Sequence, residues 1–416
     1  MFFKVKTTEE VLRLLKEFHP VETEPIPLEG SLGRVVGEDI LSPEDLPGFQ
    51  RCSMDGYAIR AKDSFGASES LPALLEIVGE VKMGRVPTVT VREGQAVKIS
   101  TGGMLPDGAD GVVMVEYCHL LDEDTIEIAR TISPQENVIQ PDDDFKKGSV
   151  VLPKGSRLRP QDVGVLGGLG LTQMMAYKRP KVAIISTGDE VVPVDQPPKP
   201  GQVRDINSYT LSAFCQLRGV EPVIIGLCQD HFDQLRSMVE KGLAVADTVW
   251  ISGGSSVGTR DLTLKVFESF ADMEILVHGI SISPGKPTVI ARMGHRAIFG
   301  LPGHTASAMV VAEVFLGPFL SRLAGVKDSA KKGLGEVQAT LSRNIESAGG
   351  RDDFIRVKLT KREEGWVAEP IFGKSGLIST LVEADGLLRV DRNTEGLYQG
   401  DQVKVMVFET GKGGFF

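Results

Sequence analysis

Between residues 181 and 251, short β-branched runs alternate with segments whose apolar positions recur at helical spacing. The alternation predicts strands at 181–186, 222–226 and 248–251, and helices at 208–218 and 230–241. Gly219 and Gly242 indicate where the two helices end. This order of elements predicts a doubly wound, mostly parallel sheet, in which ligands bind at the carboxyl ends of the strands.

The rest of the chain has different patterns, so we expect a multidomain α/β plus β protein. Residues 7–18 predict an amphipathic helix with a capping sequence, Thr7-Thr8-Glu9-Glu10, and the segment 160–170 is expected to return and pack on it. Short β-rich runs predict further strands at 91–99, 111–115, 337–341, 354–360, 366–369 and 403–408. The predicted domains are a discontinuous N-terminal linker domain (1–45 plus 145–178), a small β-containing domain (46–144), a central α/β domain (179–327) and a C-terminal, barrel-like β domain (328–416).

Composition narrows the class of protein. The chain has 416 residues, too many for one ordinary core, and its net charge of −10 argues against a general nucleic-acid surface. Its four cysteines are scattered, which favours reduced thiols over a zinc site or disulfides. The N-terminus lacks a signal segment, and the uncharged run 163–177 is too short to span a bilayer. We therefore expect a cytoplasmic protein that binds neither nucleic acid nor membranes.

The loop after the third predicted strand is a candidate phosphate site. It reads Ser252-Gly253-Gly254-Ser255-Ser256-Val257-Gly258-Thr259-Arg260-Asp261 and leads into an amphipathic segment. Glycines allow close backbone approach, and free N–H groups at a helix start favour an anion. Thr259 stands where a P-loop has its lysine, so a tight turn without a ligand stays an alternative.

Five polar loops border the predicted strands of the α/β domain and together predict a binding rim. They lie at 187–190, 229–231, 252–261, 283–287 and 301–305. Glu190, Asp230 and Asp261 offer the carboxylate oxygens that magnesium binds beside phosphates. Two alternatives stay open: Asp230 is a helix cap, and Lys286 is a solvated turn lysine rather than a fixed charge for an oxyanion.

Three turns outside these strands have both a functional and a structural interpretation. Arg351 follows two glycines and is suited to bidentate binding of an oxyanion. The turn Gly373-Lys374-Ser375-Gly376 offers a cation and a hydroxyl group. His304 is either a catalytic group or a capping or packing residue of its turn.

An ordered set of motifs identifies a family resemblance. Ser-Met-Asp-Gly-Tyr-Ala at 53–58, Ser-Thr-Gly-Asp-Glu at 186–190, Ser-Gly-Gly-Ser-Ser-Val-Gly at 252–258, Pro-Gly-Lys-Pro at 284–287 and Leu-Pro-Gly at 301–303 follow one another along the chain. Together they resemble the molybdopterin molybdenumtransferases, the family that includes the gephyrin E domain and the plant molybdenum-insertase E domain. The match spans nearly the whole chain.

The resemblance implies an elongated homodimer of four-domain subunits that inserts molybdate into adenylylated molybdopterin, with magnesium, and releases AMP. It implies that Asp230, Asp261 and Glu190 are the acids of metal-assisted cleavage. The implied molybdate pocket consists of Lys286, Arg351, Ser375 and Ser307. The implied substrate contacts are Thr187, Gly188, Gly253, Gly254, Ser255, Ser256, Pro302, Gly303, Asp55 and Thr101, of which the last two reach the partner subunit's cleft. The implied protein partners are molybdopterin adenylyltransferase and acceptor molybdoenzymes.

Three positions depart from the family pattern. Ser283 replaces a lysine, His304-Thr305 replace Asn-Pro, and residues 139–144 replace a motif that usually carries Arg and Gly-Glu-Asp. The lost cation leaves the choice of anion open, so tungstate is a second hypothetical substrate. Two other functions stay open: a molybdopterin adenylyltransferase, which the extra terminal domains argue against, and a molybdopterin carrier or scaffold without turnover.

Overall fold

The computed structural model describes residues 5–253, 257–327 and 335–409, with the backbone alone for 257–261. The chain forms two compact units. Unit 1 comprises Met1–Glu38, Lys154–Val163 and Gln173–Phe416, and unit 2 comprises Asp39–Pro153 and Gly164–Thr172. The division into four domains stays a prediction.

Helices occur in both the N-terminal and C-terminal halves of the chain. In chain order, the α-helices of the described residues are α1 (Thr8–Leu15), α2 (Pro160–Gly168), α3 (Asn207–Leu217), α4 (Phe232–Val245), α5 (Val257–Glu268), α6 (Thr305–Val311), α7 (Gly317–Leu323) and α8 (Ser379–Val382). Shorter turns of 3₁₀-helix lie at Ala61–Ser64 and Val115–Tyr117, and a π-helical turn lies at Ala312–Leu316.

The strands of the first half of the chain are β1 (Thr23–Pro27), β2 (Ile40–Leu41), β3 (Arg51–Cys52), β4 (Gly56–Ile59), β5 (Ala73–Glu80), β6 (Gln95–Ile99), β7 (Gly111–Met114), β8 (Cys118–Leu120), β9 (Thr125–Ile128), β10 (Val138–Ile139), β11 (Val150–Leu152), β12 (Gln173–Tyr177), β13 (Lys181–Thr187), β14 (Val191–Val192) and β15 (Val203–Arg204). Those of the second half are β16 (Glu221–Cys228), β17 (Thr248–Gly253), β18 (Met273–His278), β19 (Ile282–Ser283), β20 (Val289–Met293), β21 (Arg296–Leu301), β22 (Glu336–Leu341), β23 (Ile345–Glu346), β24 (Asp352–Arg362), β25 (Gly365–Pro370), β26 (Gly386–Val390), β27 (Gly396–Leu397) and β28 (Gln402–Val407).

Helix α1 forms where its sequence predicts. Thr7 and Glu10 form a reciprocal capping box, in which each side chain accepts a hydrogen bond from the other residue's N–H. Its apolar face packs into the core beside the α/β sheet, where the rings of Phe18 and Phe319 lie 5.5 Å apart. Strand β12, which follows α2 along the chain, pairs antiparallel with β1. The packing of the segment 160–170 on α1 stays a prediction.

Unit 2 contains a six-stranded sheet in the order β7-β4-β6-β5-β9-β8. Alternate residues of β4 enter two different clusters: Tyr57 and Ile59 pack in one, and Ala58 packs in the other. The predicted β character of this region is confirmed. The strand expected at 91–99 begins only at Gln95, because Gly94 adopts a left-handed turn with φ of 72°.

The α/β sheet of unit 1 has the strand order β16-β13-β17-β21-β20-β18. The first four strands are parallel, whereas β20 runs antiparallel to both of its neighbours. Along β13, Val182 and Ile184 face one helical layer, and Ala183 and Ile185 face the other. The doubly wound prediction is confirmed, with one antiparallel strand, β20, that the pattern did not predict.

The C-terminal region closes into a five-stranded barrel, in which β24 pairs with both β25 and β26 and the circle is completed through β22 and β28. Val357 and Leu359 point into the barrel core. The two-residue strand β19 extends this sheet by pairing parallel with β24. The barrel-like prediction is therefore confirmed.

Among the described residues, one helical stretch, Thr305–Leu323, is long and apolar enough to cross a membrane. It includes the π-helical turn between α6 and α7, and 72% of its most apolar segment is buried within the protein. Ala308, Val310, Val311, Phe315, Phe319 and Leu320 on it belong to the buried core. The composition of this stretch is therefore explained by its position against the α/β sheet.

A buried carboxylate connects α1 to the barrel. Asp352 has no exposed surface, and its Oδ2 accepts hydrogen bonds from the Thr8 hydroxyl at 2.5 Å and from Arg389 Nη2 at 2.9 Å. Its Oδ1 accepts from the N–H of Arg392 at 3.1 Å. Because a buried charge needs such partners, this network fixes the start of β24.

We predict that Asp352→Asn lowers the free energy of unfolding by about 2–3 kcal/mol, since an amide replaces a buried carboxylate that accepts hydrogen bonds from Thr8, Arg389 and Arg392. Urea denaturation followed by tryptophan fluorescence measures this, because Trp250 and Trp366 both lie in unit 1. The matched control is Asp391→Asn, whose exposed carboxylate lies 3.9 Å from the same arginine and is expected to change the free energy of unfolding far less. Equal effects of the two substitutions would contradict the prediction.

Candidate functional site

The predicted polar loops follow strands that end at one edge of the α/β sheet. The parallel strands β13, β16, β17 and β21 carry the loops that begin at Gly188, Gln229, Gly254 and Pro302. The start of β20 lies at the same edge, because Val289 pairs with Gly300 near the end of the antiparallel strand β21. The loop that contains Lys286 therefore reaches this edge although it precedes its strand.

Three acidic residues cluster at the ends of β13 and β16. The Thr187 hydroxyl donates to Asp230 Oδ1 at 2.8 Å, and the N–H of Asp230 donates to Asp189 Oδ1 at 3.1 Å. Helix α4 has His231 as its N-cap residue, without a side-chain hydrogen bond. The alternative interpretation of Asp230 as a helix cap is therefore wrong, and its carboxylate is oriented by Thr187 instead.

Electrostatics favour a cation beside Asp230. Burial raises the pKa of Asp230, the Thr187 hydrogen bond opposes this, and the negative charges of Asp189 and Glu190 raise the pKa further. Converging carboxylates that repel one another are relieved by a divalent cation, and magnesium typically uses one or two carboxylates plus phosphate oxygens. The described residues contain no group of three or more His, Cys, Asp or Glu arranged to hold a metal ion.

Glycines at two predicted positions make room for this cluster. A Cβ at Gly253 would lie 2.3 Å from Thr187 Cγ2, because the two residues are paired neighbours on β17 and β13. Gly188 has φ of 154°, and a Cβ there would lie 2.9 Å from Glu190 Oε2. The glycine that ends β17 is thus required by the packing of Thr187.

Asn207 is a site residue that the sequence analysis missed. Its Nδ2 donates to Ser252 Oγ at 2.6 Å and to the Gly303 carbonyl at 2.7 Å, and its Oδ1 accepts from the Thr305 hydroxyl at 2.8 Å. It is the first residue of α3 and connects the end of β17 to the loop after β21 and the start of α6. Its only sequence signal is an amide at a predicted helix start, which is also ordinary for a cap.

The two predicted cations of the oxyanion site come close through backbone contacts. Strand β19 pairs Ser283 with Asp353, and the Ser281 hydroxyl donates to the Gly350 carbonyl at 2.8 Å. The carbonyl of Lys286 accepts from the N–H of Ile280 at 2.9 Å. The turns that carry Lys286 and Arg351 are therefore neighbours, although they belong to different predicted domains.

These two cations differ in their surroundings. Arg351 donates through Nε to Asp353 Oδ1 at 2.9 Å, with 43% of its side chain exposed. Lys286 is exposed and forms no ion pair with the described residues. An exposed, unpaired lysine beside a paired arginine is suited to an anion, although solvation alone also accounts for it.

Helix α6 contacts the turns on both sides of the oxyanion site. His304 Nδ1 and Ser375 Oγ share a hydrogen bond of 2.8 Å, and the Ser375 carbonyl accepts from the N–H of Ala306 at 3.2 Å. A Cβ on Gly285 would lie 2.8 Å from Val311 at the other end of the helix. Ser307 is buried on α6 between these two contacts, and Pro302 in the loop before α6 is also buried. His304 thus binds the turn of Ser375 and makes no side-chain capping bond.

The two predicted residues of unit 2 lie together. Asp55 Oδ1 accepts from the N–H of Thr101 at 2.7 Å and from its hydroxyl at 2.9 Å, and these bonds lower the pKa of Asp55. Asp55 is exposed and precedes Gly56, where a Cβ would lie 1.8 Å from the Val113 carbonyl oxygen. Only glycine fits there, so the Asp-Gly pair fixes the direction of the carboxylate.

Some predicted residues lie outside the described part of the chain. These are Gly254, Ser255 and Ser256 of the loop after β17, together with the side chain of Asp261. The backbone of Asp261 lies in the first half of α5. Their assigned roles stay predictions.

Three family models match successive parts of the chain: the MoeA N-terminal region (domain I and II) at 6–170, a probable molybdopterin binding domain at 183–322 and the MoeA C-terminal region (domain IV) at 338–408. A putative molybdopterin biosynthesis protein of Methanocaldococcus jannaschii is 34% identical over 91% of this chain and 90% of its own. The molybdopterin molybdenumtransferase of Haemophilus influenzae is 32% identical over 94% and 95% of the two chains. A solved molybdopterin biosynthesis MoeA protein from Pyrococcus horikoshii is 31% identical, with a TM-score of 0.80 over 97% of this chain and 100% of its own.

The raised pKa of Asp230 predicts a stability change in Asp230→Asn. A carboxyl whose pKa is higher in the folded than in the unfolded chain destabilises the fold progressively as the pH rises from the unfolded to the folded pKa, and fully above it. Asp230→Asn therefore raises the free energy of unfolding at neutral pH, and the gain shrinks as the pH falls to the ordinary pKa of aspartate. Urea denaturation across this pH range measures it.

The control for this substitution is Asp233→Asn, an exposed residue in the first turn of the same helix, which is expected to give no gain at any pH. A loss of stability in Asp230→Asn at neutral pH would show that the carboxylate is compensated in the folded protein.

Proposed function

The chain belongs to the molybdopterin molybdenumtransferase (MoeA) family, and on that premise we propose that it inserts molybdate into adenylylated molybdopterin and releases AMP. The family membership makes it an enzyme of molybdenum cofactor biosynthesis. The observation that carries the proposed reaction is the pairing of β19 with β24. This pairing supports the proposal because the turn of Arg351 then neighbours the turn of Lys286, whose loop reaches the edge of the sheet where Asp230 lies.

The acidic cluster is proposed to act at the adenylyl phosphates. Asp230 and Glu190, together with Asp261, would hold magnesium, and the ion would supply positive charge to the phosphates of the pyrophosphate-type bond. Thr187 holds the Asp230 carboxylate in one orientation through its 2.8 Å hydrogen bond. The backbone N–H groups of the loop 253–256 are proposed to bind the phosphates of the substrate. Positioning and charge neutralisation carry most of the catalysis in such a cleavage.

The cationic turns are proposed to bind molybdate as the metal-containing substrate. A tetrahedral oxyanion requires fixed positive charges and hydroxyl donors, which Lys286, Arg351, Ser375 and Ser307 supply. His304 supports Ser375 through the hydrogen bond of 2.8 Å. Gly303, whose carbonyl accepts a hydrogen bond from Asn207, and the buried Pro302 hold the loop after β21 between the acidic cluster and the cationic turns.

We also propose a cytoplasmic homodimer in which Asp55 and Thr101 complete the partner subunit's cleft. The family resemblance supports this arrangement, and the exposed, oriented carboxylate of Asp55 is suited to it. Molybdopterin adenylyltransferase is the proposed supplier of the substrate, because its product is the adenylylated pterin. Acceptor molybdoenzymes are the proposed recipients of the cofactor.

Incubation with adenylylated molybdopterin, magnesium and molybdate tests the reaction directly. The wild-type protein is expected to release AMP and form cofactor, and Asp230→Asn is expected to reduce the rate by at least about 100-fold, as for loss of a positioned charge. Asp233→Asn on the same helix is the control and is expected to leave the rate unchanged. Tight binding of the pterin without AMP release in the wild type would instead support a carrier.

Mixing two inactive variants tests the shared cleft. In the proposed dimer, each cleft takes Asp230 from one subunit and Asp55 from the other. A heterodimer of Asp55→Ala and Asp230→Asn therefore contains one intact cleft. Random exchange in a two-fold dimer is expected to restore roughly one quarter of the wild-type activity. No recovery, with dimer exchange shown by mass spectrometry, would place both residues in a cleft of one subunit or exclude Asp55 from it.

A further inference from the structure

Arg356 of the barrel is buried without an acidic partner. Only 8% of its surface is exposed, and its Nε and Nη1 have no hydrogen-bond partner in the described part of the chain. Nη2 donates to the Gly373 carbonyl at 3.0 Å. Burial lowers the pKa of the guanidinium, which nevertheless stays charged at neutral pH. An uncompensated cation of this kind is unfavourable for folding and calls for a further explanation.

The register of β24 sets the direction of this side chain. Val357 and Leu359 face the barrel core, with Ile355 packed against it. Phe354 faces the opposite way and packs in the core beside the α/β sheet. Since side chains alternate along a strand, Arg356 extends from the face that Phe354 occupies, away from the barrel interior.

The guanidinium lies against the turn that carries Ser375. Gly373, whose carbonyl binds Arg356, comes two residues before Ser375, and a Cβ on this glycine would lie 2.7 Å from Thr380 Cγ2. Ser375 in turn binds His304 and the N–H of Ala306. Arg356 therefore supports the same turn that reaches α6.

We propose that Arg356 is a positioning residue of the oxyanion site, which holds the turn of Ser375 and supplies positive charge to an oxyanion bound there. This inference rests on the proposed function, because it adds a residue to the proposed molybdate site. The charge of Arg351 is partly compensated by Asp353, and Lys286 is exposed to solvent. The charge of Arg356 is neither paired with a carboxylate of the described residues nor exposed to solvent, so an anion beside Ser375 is its missing counter-ion.

Two substitutions separate the charge of Arg356 from its hydrogen bond. Arg356→Gln removes the charge and keeps a donor for the Gly373 carbonyl, whereas Arg356→Lys keeps both the charge and a donor. Calorimetric titration of each full-length protein with molybdate gives the dissociation constant, and the cofactor-forming assay gives KM for molybdate and kcat.

We expect Arg356→Gln to raise the dissociation constant and KM for molybdate at least about tenfold, with kcat at saturating molybdate within about threefold of wild type. Arg356→Lys is expected to stay within about threefold of wild type in all three quantities. A purely structural contribution would move both variants alike, because both keep a donor for the turn.

Arg296→Gln is the matched control. Arg296 also has a buried Nε without a partner and donates to one carbonyl, that of Leu243, but it lies at the opposite, amino end of β21. Unchanged molybdate binding is expected for this variant. Equal weakening in Arg296→Gln and Arg356→Gln would overturn the inference.

The outcomes also separate this inference from the proposed function. A wild-type protein that forms no cofactor contradicts the function, whereas an active wild type with unchanged molybdate binding in Arg356→Gln contradicts the inference alone. If Arg356→Gln does not fold, Arg356→Lys decides, because desolvation lowers the pKa of a buried lysine. Its molybdate affinity is then expected to fall relative to wild type between about pH 7 and about pH 9, and equal affinity throughout overturns the inference.

Discussion

The pairing of β19 with β24 is the contact on which the candidate site depends. Only two residue pairs form it, Ile282 with Asp352 and Ser283 with Asp353, yet it attaches a loop of the α/β sheet to the barrel. The loop then turns back at Lys286, and Arg351 immediately precedes the paired residues of β24. Two cations from distant parts of the chain thus become neighbours because their backbones share a short ladder.

Alternation along β24 gives successive residues different tasks. Asp352 faces α1 and accepts hydrogen bonds from Thr8 and Arg389, while Asp353 faces the other way and accepts from Ser347 and Arg351. Phe354 packs against the α/β core, and Arg356 reaches the turn of Ser375. A single strand therefore anchors the N-terminal helix and orients cations of the proposed oxyanion site. At the other side of the site, Gly253 makes room for Thr187, which orients Asp230.

The sequence predicts what depends on local periodicity. The strands and helices of the α/β region and the β character of the barrel follow from apolar spacing, and the ends of parallel strands place the acidic loops at one edge. Contacts between distant segments leave no such local signal. The Asn207 bridge, the His304–Ser375 hydrogen bond and the antiparallel β20 all depend on tertiary pairing. Arg356 has only the pattern of an ordinary strand residue, and its burial follows from which face of β24 the core covers.

A crystal structure of the protein with molybdate would show whether Lys286, Arg351 and Ser375 bind the oxyanion, since molybdenum is identified by its anomalous scattering. We expect an anomalous peak within about 4 Å of Lys286 Nζ, the Arg351 guanidinium and Ser375 Oγ, which is the range of ion pairs and charge-assisted hydrogen bonds. A peak elsewhere in the protein, such as the barrel pocket lined by Arg343, Lys358 and three carboxylates, would contradict this expectation. So would a crystal that contains adenylylated molybdopterin at the edge of the sheet and molybdate away from these three residues.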